Sequence, residues 1–215
     1  MTSEEMIQKA LQWWSYRQSI KLFLEAERIR DGLLQESFII RRSLDVLMID
    51  NLSLSIDGIQ EHIKKVDNFH HSLVQLSDRL CPTLIQDSLP LSIEYLLEPW
   101  LSSHPHLYFH IDMPDYWRHE PTEYSLIILR ILEELLILAL PESELLIAFS
   151  VYIKLRQIGN MGQLVVKISY PDISTLIFHS QLPELEYLYH SFKFLISGKC
   201  LYYKRNLRSS WHFYW

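Results

Sequence analysis

The chain has 215 residues, 48% hydrophobic and 21% charged, values that suit a folded globular protein and exclude extensive disorder. A chain of this length forms one large domain or two small ones. Twenty Lys and Arg against 26 Asp and Glu give a formal charge of −6, so the chain as a whole lacks the clustered cation excess that nucleic acid requires, and only the tail, with Lys199, Lys204, Arg205 and Arg208, is locally basic.

Met1-Thr2-Ser3-Glu4-Glu5 is acidic and lacks the layout of a signal peptide, which predicts a cytoplasmic protein. From Glu4 to Asp50 there is no proline, and Leu11, Trp14, Ile20, Phe23, Leu24, Ile29, Leu33, Leu34 and Phe38 recur at three- and four-residue steps. That pattern predicts one long helix, several times the usual length, which needs a partner along its side. Residues 51 to 58 supply turn formers, and a second helix over 59 to 80 carries Ile63, Val66, Phe69, Leu73, Leu76 and Leu80 on one stripe before Pro82 ends it. Two helices joined this way make an antiparallel hairpin that pairs with a second copy as a four-helix bundle.

Past Pro82 the pattern predicts a helix at 89 to 102, a strand at 106 to 112, and a helix at 122 to 140. Strands near 144 to 155 and 163 to 170 follow, joined by a turn at Gly159-Asn160-Met161-Gly162, then a helix near 184 to 197 and a hairpin over 199 to 215. The longest apolar stretch, Ser125 to Pro141, is interrupted by Arg130, Glu133 and Glu134, which argues against a membrane span. Cys81 and Cys200 are too far apart for a metal knuckle and read as free thiols in a reducing compartment.

One segment asks for a special reason: Ala26-Glu27-Arg28-Ile29-Arg30-Asp31-Gly32-Leu33-Leu34-Gln35 places a glycine, costing about 1 kcal/mol, inside a strong helix. It resembles the phosphoacceptor helix of sensor histidine kinases of the nitrate-sensor and desaturase-regulator class, Ala-Arg-Glu-Leu-His-Asp-Gly-x-x-Gln, with Asp31, Gly32 and Gln35 matching and Arg30 at the histidine position. The resemblance continues in order through Leu80-Cys81-Pro82, Ser88-Leu89 and Ser92-Ile93. It reaches the ATP-binding helix in Arg130-Ile131-Leu132-Glu133-Glu134-Leu135-Leu136-Ile137-Leu138-Ala139, where the family has Arg-Ile-x-Gln-Glu-x-x-x-Asn-Ala.

The resemblance implies an α+β protein. Its dimerisation hairpin over residues 1–82 would form a four-helix bundle in the dimer, and a Bergerat-type, histidine-kinase-ATPase-like α/β sandwich would occupy 83–215. It also implies where activity has been lost. Leu138 stands at the asparagine that holds magnesium on the nucleotide phosphates, Pro141 and Glu142 replace the family's Lys-His, and Asp172 survives from the adenine-reading block without its glycines. Glu134 is retained. The reading is therefore a degenerate, non-catalytic signalling or scaffold protein without cofactor, its phosphate cleft closed around Leu138. The partners implied are a second copy and a signalling protein such as a response regulator.

Two alternatives remain open from the residues. An active kinase or a phosphotransfer protein would bind ATP and magnesium, or use His62, His70 or His71 as acceptor. A metal-binding sensor would use His104, His106, His110 and Asp112, which alternate with Tyr108 among them and so share one face of a strand. Aromatic residues gather at Trp13-Trp14-Tyr16 and again at Tyr202, Tyr203, Trp211, Phe213 and Trp215, where core or partner contacts are expected.

Overall fold

The computed structural model describes residues 2–49, 56–80, 83–103, 107–140 and 149–215. The architecture is α+β, a long helical hairpin together with a five-stranded mixed sheet and its helices. The chain divides into two compact units, residues 16–83, and residues 1–15 together with 84–215, so the first fifteen residues pack with the mixed unit.

In the hairpin unit, helix α1 (Ser3–Arg28), which enters this unit at Tyr16, runs into a π-helical turn at Ile29–Leu33 and then into α2 (Leu34–Ile49). The long helix expected over 4 to 50 is therefore interrupted in its ladder: the Leu34 N–H bonds back to Ile29 O, five residues away. Such a turn inserts an extra residue and rotates the apolar stripe beyond it, and Gly32, with its low helix preference, eases the widening. Helix α3 (Ile56–Leu80) begins earlier than expected and includes Asp57 and Gly58; the rest of the expected break, Asn51 to Ser55, lies outside the described residues.

Helix α3 lies against α2 and the π turn, and near its end Arg79 donates from Nε to Glu25 Oε2 on α1 at 3.0 Å, so α3 runs back antiparallel to α2; Arg28 also donates to Glu25 Oε1. Glu25 is only 5% exposed. A carboxylate can be withdrawn from water to that extent because two guanidinium groups replace its hydration. Leu33 and Leu76 complete the small buried seam.

A 3-10 turn at Thr83–Gln86 leads into the mixed unit, which contains helices α4 (Leu89–Ser103), α5 (Thr122–Ala139), α6 (Ile173–Ser180) and α7 (Pro183–Leu195), and five strands. The strands β1 (Leu107–Asp112), β2 (Phe149–Ile158), β3 (Met161–Ser169), β4 (Lys199–Arg205) and β5 (Arg208–Tyr214) lie in the order β1-β2-β3-β5-β4. Only β1 and β2 are parallel, and the crossover that a parallel pair needs contains α5.

Alternation builds the core. Phe149, Val151, Ile153 and Leu155 on β2, Leu164, Val166 and Ile168 on β3, and Trp211 and Phe213 on β5 all turn inward. They meet Ile128, Ile131, Leu132 and Leu135 of α5, Leu89, Ile93 and Leu97 of α4, and Leu188 and Phe192 of α7, each set at three- or four-residue spacing. The beginning of α1 is covered in the same unit: Ala10 is fully buried, its carbonyl accepts from Ser191 Oγ at 3.1 Å, and Trp13 packs 6.2 Å from Tyr187.

Ile158 pairs with Met161, leaving Gly159 and Asn160 as a two-residue turn, with Gly159 at φ +59° as such hairpins require. Met161 and Gly162, expected in the turn, are already strand. Gly162 is needed because a Cβ there would lie 2.5 Å from the Trp215 ring, whose backbone it pairs with in both directions. Strand β2 runs on to Ile158, past its expected end at 155, the first five residues of that expected strand fall outside the described ones, and helix α6 has no counterpart among the expected elements.

Candidate functional site

Helix α5 carries the segment that resembles an ATP-binding helix. Its Arg130 and Glu133 pair with each other at 3.2 Å, and Glu134 is buried at 3% exposure. The last carbonyls of a helix have no partner within it. Here two side chains from beyond the second long strand supply partners: Tyr170 Oη donates to Ala139 O at 3.0 Å, and His179 Nδ1 meets Leu138 O at 3.0 Å. Because a carbonyl only accepts, His179 Nδ1 must carry the proton.

The two rings stack on each other, with centroids 5.9 Å apart, and Phe149 meets Tyr170 edge-on. Tyr170 and His179 are buried. Burial holds the Tyr170 hydroxyl far above its ordinary pKa, so it remains a donor at any ordinary pH. The expectation that Leu138 itself closes this region needs correction: its side chain is half-buried, and Tyr170 and His179 seal the end of the helix. Pro141 and Glu142 lie outside the described residues.

Asp172, the one acid surviving from the adenine-reading block, caps helix α6. Its Oδ1 accepts from Thr175 N and its Oδ2 from Thr175 Oγ1, both at 2.8 Å. The Thr175 backbone bond, then the Thr175 hydroxyl, hold the carboxyl below its ordinary range. Both oxygens are thus engaged in a local capping motif. The sequence signal for α6 was available in Asp172 followed three residues later by Thr175, with Leu176 and His179 three residues apart on its buried side.

In the hairpin unit Arg30 is exposed and pairs loosely with Glu27 at 3.4 Å, while Asp31 and Gly32 are exposed beside it in the π turn. No atom outside this helix's own backbone and neighbouring residues lies within 4 Å of a Cβ built at Gly32, so close packing in this chain does not require the glycine. His70 and His71 are exposed on α3 and His62 is half-buried. In the π turn between α1 and α2, Arg30 offers a guanidinium where the resemblance has a nucleophilic imidazole.

The strand with alternating histidines is β1. His104 and His106 lie outside the described residues; Tyr108 and His110 are exposed on the face expected. Asp112 Oδ2 accepts from Lys154 Nζ at 2.6 Å and from Tyr152 Oη at 3.1 Å, bonds that hold its carboxyl below the ordinary range, and His110 stacks on Tyr152 at 5.2 Å. Among the described residues no three His, Cys, Asp or Glu stand close enough to hold a metal ion. Cys200 is buried, which pushes its thiol up to about 12, and Cys81 lies outside the described residues. No described helix is long and apolar enough to cross a membrane.

No protein-family model matches the chain, and no curated protein matches it. Solved structures similar to it include histidine kinases. One is the histidine kinase AdeS of Acinetobacter baumannii, 11% identical, covering 85% of this chain and 95% of that one at a TM-score of 0.42. Another is the histidine kinase domain of the blue-light-activated histidine kinase of Erythrobacter litoralis, 9% identical over 83% of this chain and 94% of that one at a TM-score of 0.44. A bacterial phosphotransferase is similar too, at 10% identity over 90% of this chain and 95% of that one with a TM-score of 0.42.

Proposed function

We propose that the chain is a non-catalytic, histidine-kinase-like signalling or scaffold protein that dimerises through its helical hairpin and acts by protein–protein interaction. One observation carries the reading: the end of α5 is occupied by Tyr170 and His179, which satisfy the carbonyls of Leu138 and Ala139 where the family resemblance places nucleotide phosphates and their magnesium. A leucine side chain at 138 brings no ligand for a hard cation, which takes oxygen donors. Asp172 spends both carboxylate oxygens on Thr175. Arg30 at the acceptor position cannot form a phosphohistidine, so the first and last steps of autophosphorylation both lack their group.

Dimerisation is supported by what the hairpin leaves uncovered. On α3, Ile59, Ile63, Val66, Leu73 and Leu80 are each at least 41% exposed and follow the four-three-seven spacing of a coiled-coil seam, and Leu34 and Phe38 on α2 are 59% and 63% exposed. A second copy presents the same stripe, so an isologous bundle buries both. A response regulator is the signalling partner that the family resemblance implies.

The test is incubation of the purified chain with labelled ATP and magnesium. No acid-labile, base-stable label is expected on the protein. Label mapped to His70 or His71 would overturn the reading in favour of phosphotransfer, because both rings are exposed on α3.

A further inference from the structure

Strand alternation sends every second side chain of the sheet away from the helices, and the register decides what gathers there. Six cations share that face: Lys154 and Arg156 on β2, Lys167 on β3, Lys199 and Arg205 on β4, and Arg208 on β5. Asp112 is the single carboxylate among the described residues of the same face, and it is already paired with Lys154. A face with this balance is opposite in sign to the chain, whose formal charge is −6. Whole-chain charge therefore hid it, because a period of two sorts residues by face while a sum does not.

Aromatic rings stand among these cations. Tyr108 at the β1 edge is 69% exposed and Tyr203 on β4 is 53% exposed, with His110 also exposed. Tyr152 is half-buried, stacked with His110 and 5.1 Å from Lys167 Nζ, so the exposed rings are toward the two edges and the cations occupy the middle and the β4 side. Arg156, Lys199, Arg205 and Arg208 are exposed.

We propose that this open face binds single-stranded nucleic acid, the cations taking phosphates and Tyr108, His110 and Tyr203 stacking bases. Cations alone would suit any polyanion; the interleaved exposed rings favour a strand whose bases are free to stack. A duplex fits poorly, because five strands span about 19 Å, wider than the roughly 12 Å major groove, and paired bases offer no face to a ring. An acidic peptide would engage the cations and leave the rings idle. The proposal concerns a different face from the α5 end and stands whether or not that end binds nucleotide.

The experiment is fluorescence anisotropy of the full chain with a labelled single-stranded oligonucleotide of mixed sequence, against the same sequence as duplex and against polyglutamate as competitor. Single-strand binding is expected to exceed duplex binding. If about four cations are engaged, the logarithm of affinity should fall with the logarithm of salt at a slope of about −3. R205E/R208E should weaken binding about tenfold or more and flatten that slope. Y108A/Y203A should weaken single-strand binding about fivefold or more at unchanged slope, the loss expected of removed stacking. K64E, a charge reversal on α3, should leave affinity unchanged, and each variant should keep the thermal midpoint of the unaltered chain, since the side chains changed are exposed. No saturable binding at low salt would overturn the proposal. So would equal competition by polyglutamate together with a silent Y108A/Y203A, which would assign the face to an acidic partner.

Discussion

Replacing Tyr170 by phenylalanine removes one oxygen from the sealed end of α5 and leaves the ring in place against Phe149 and His179. Ala139 is fully buried and its carbonyl accepts the Tyr170 hydroxyl at 3.0 Å, so the lost donor is not replaced by solvent without opening the site. An orphaned buried acceptor costs about 1–3 kcal/mol. With a urea dependence of about 2 kcal/mol/M for a unit of this size, the midpoint should fall by roughly 0.5–1.5 M. All six tryptophans, Trp13, Trp14, Trp100, Trp117, Trp211 and Trp215, lie in residues 1–15 and 84–215, so intrinsic fluorescence reports on the mixed unit. An unchanged midpoint at unchanged slope would refute the claim that the Tyr170 hydroxyl holds the helix end shut.

Charged residues at Val66 and Leu73 together should convert the dimer to monomer in light scattering; a monomeric unaltered chain at tens of micromolar would remove the bundle from the account. Glu25→Gln should destabilise the hairpin by about 1–2 kcal/mol, less than the 3–5 of a fully buried pair, because the partner side chains of Arg28 and Arg79 are 59% and 40% exposed. Far-ultraviolet circular dichroism would register that loss, and an unshifted transition would show Glu25 to be energetically idle. Burial, then Lys167 and Arg156, hold His212 below its ordinary value of 6.5. Its folded state therefore binds fewer protons than the unfolded chain in acid, so this contribution to stability is full above about pH 6.5 and is lost as pH falls toward the folded value. His212→Gln should flatten that limb of the stability profile, and an identical profile would contradict the assignment.

Much of the fold was legible because its signals are local. The step of two in Phe149, Val151, Ile153 and Leu155 and the three- and four-residue steps of α5 identify both the element and its buried side. Helix α6 escapes the periodicity because eight residues give barely two turns, and the family resemblance assigns Asp172 to a nucleotide rather than to a cap. The π turn is invisible to periodicity, although Gly32 marked the place where the helix departs from its ladder. That Ala10 and Trp13 belong with the mixed unit could not be read, since an apolar stripe says that a face is covered and not by what.

The sealing of α5 is the deeper case. Tyr170 lies 31 positions from Ala139 and His179 41 from Leu138, and no sequence spacing links them. Their pairing depends on where β3 delivers the chain, a property of the sheet register. The same register assembles the cationic face, whose members come from four strands and look unremarkable singly.

Central to the proposed function is that the α5 end, with Tyr170 and His179 bonded to its last carbonyls, binds no nucleotide. Isothermal titration of magnesium-ATP into the unaltered chain tests this most directly. The account predicts no saturable heat at nucleotide concentrations up to about 1 mM, the weak limit near −4 kcal/mol. Stoichiometric binding at micromolar affinity would contradict it.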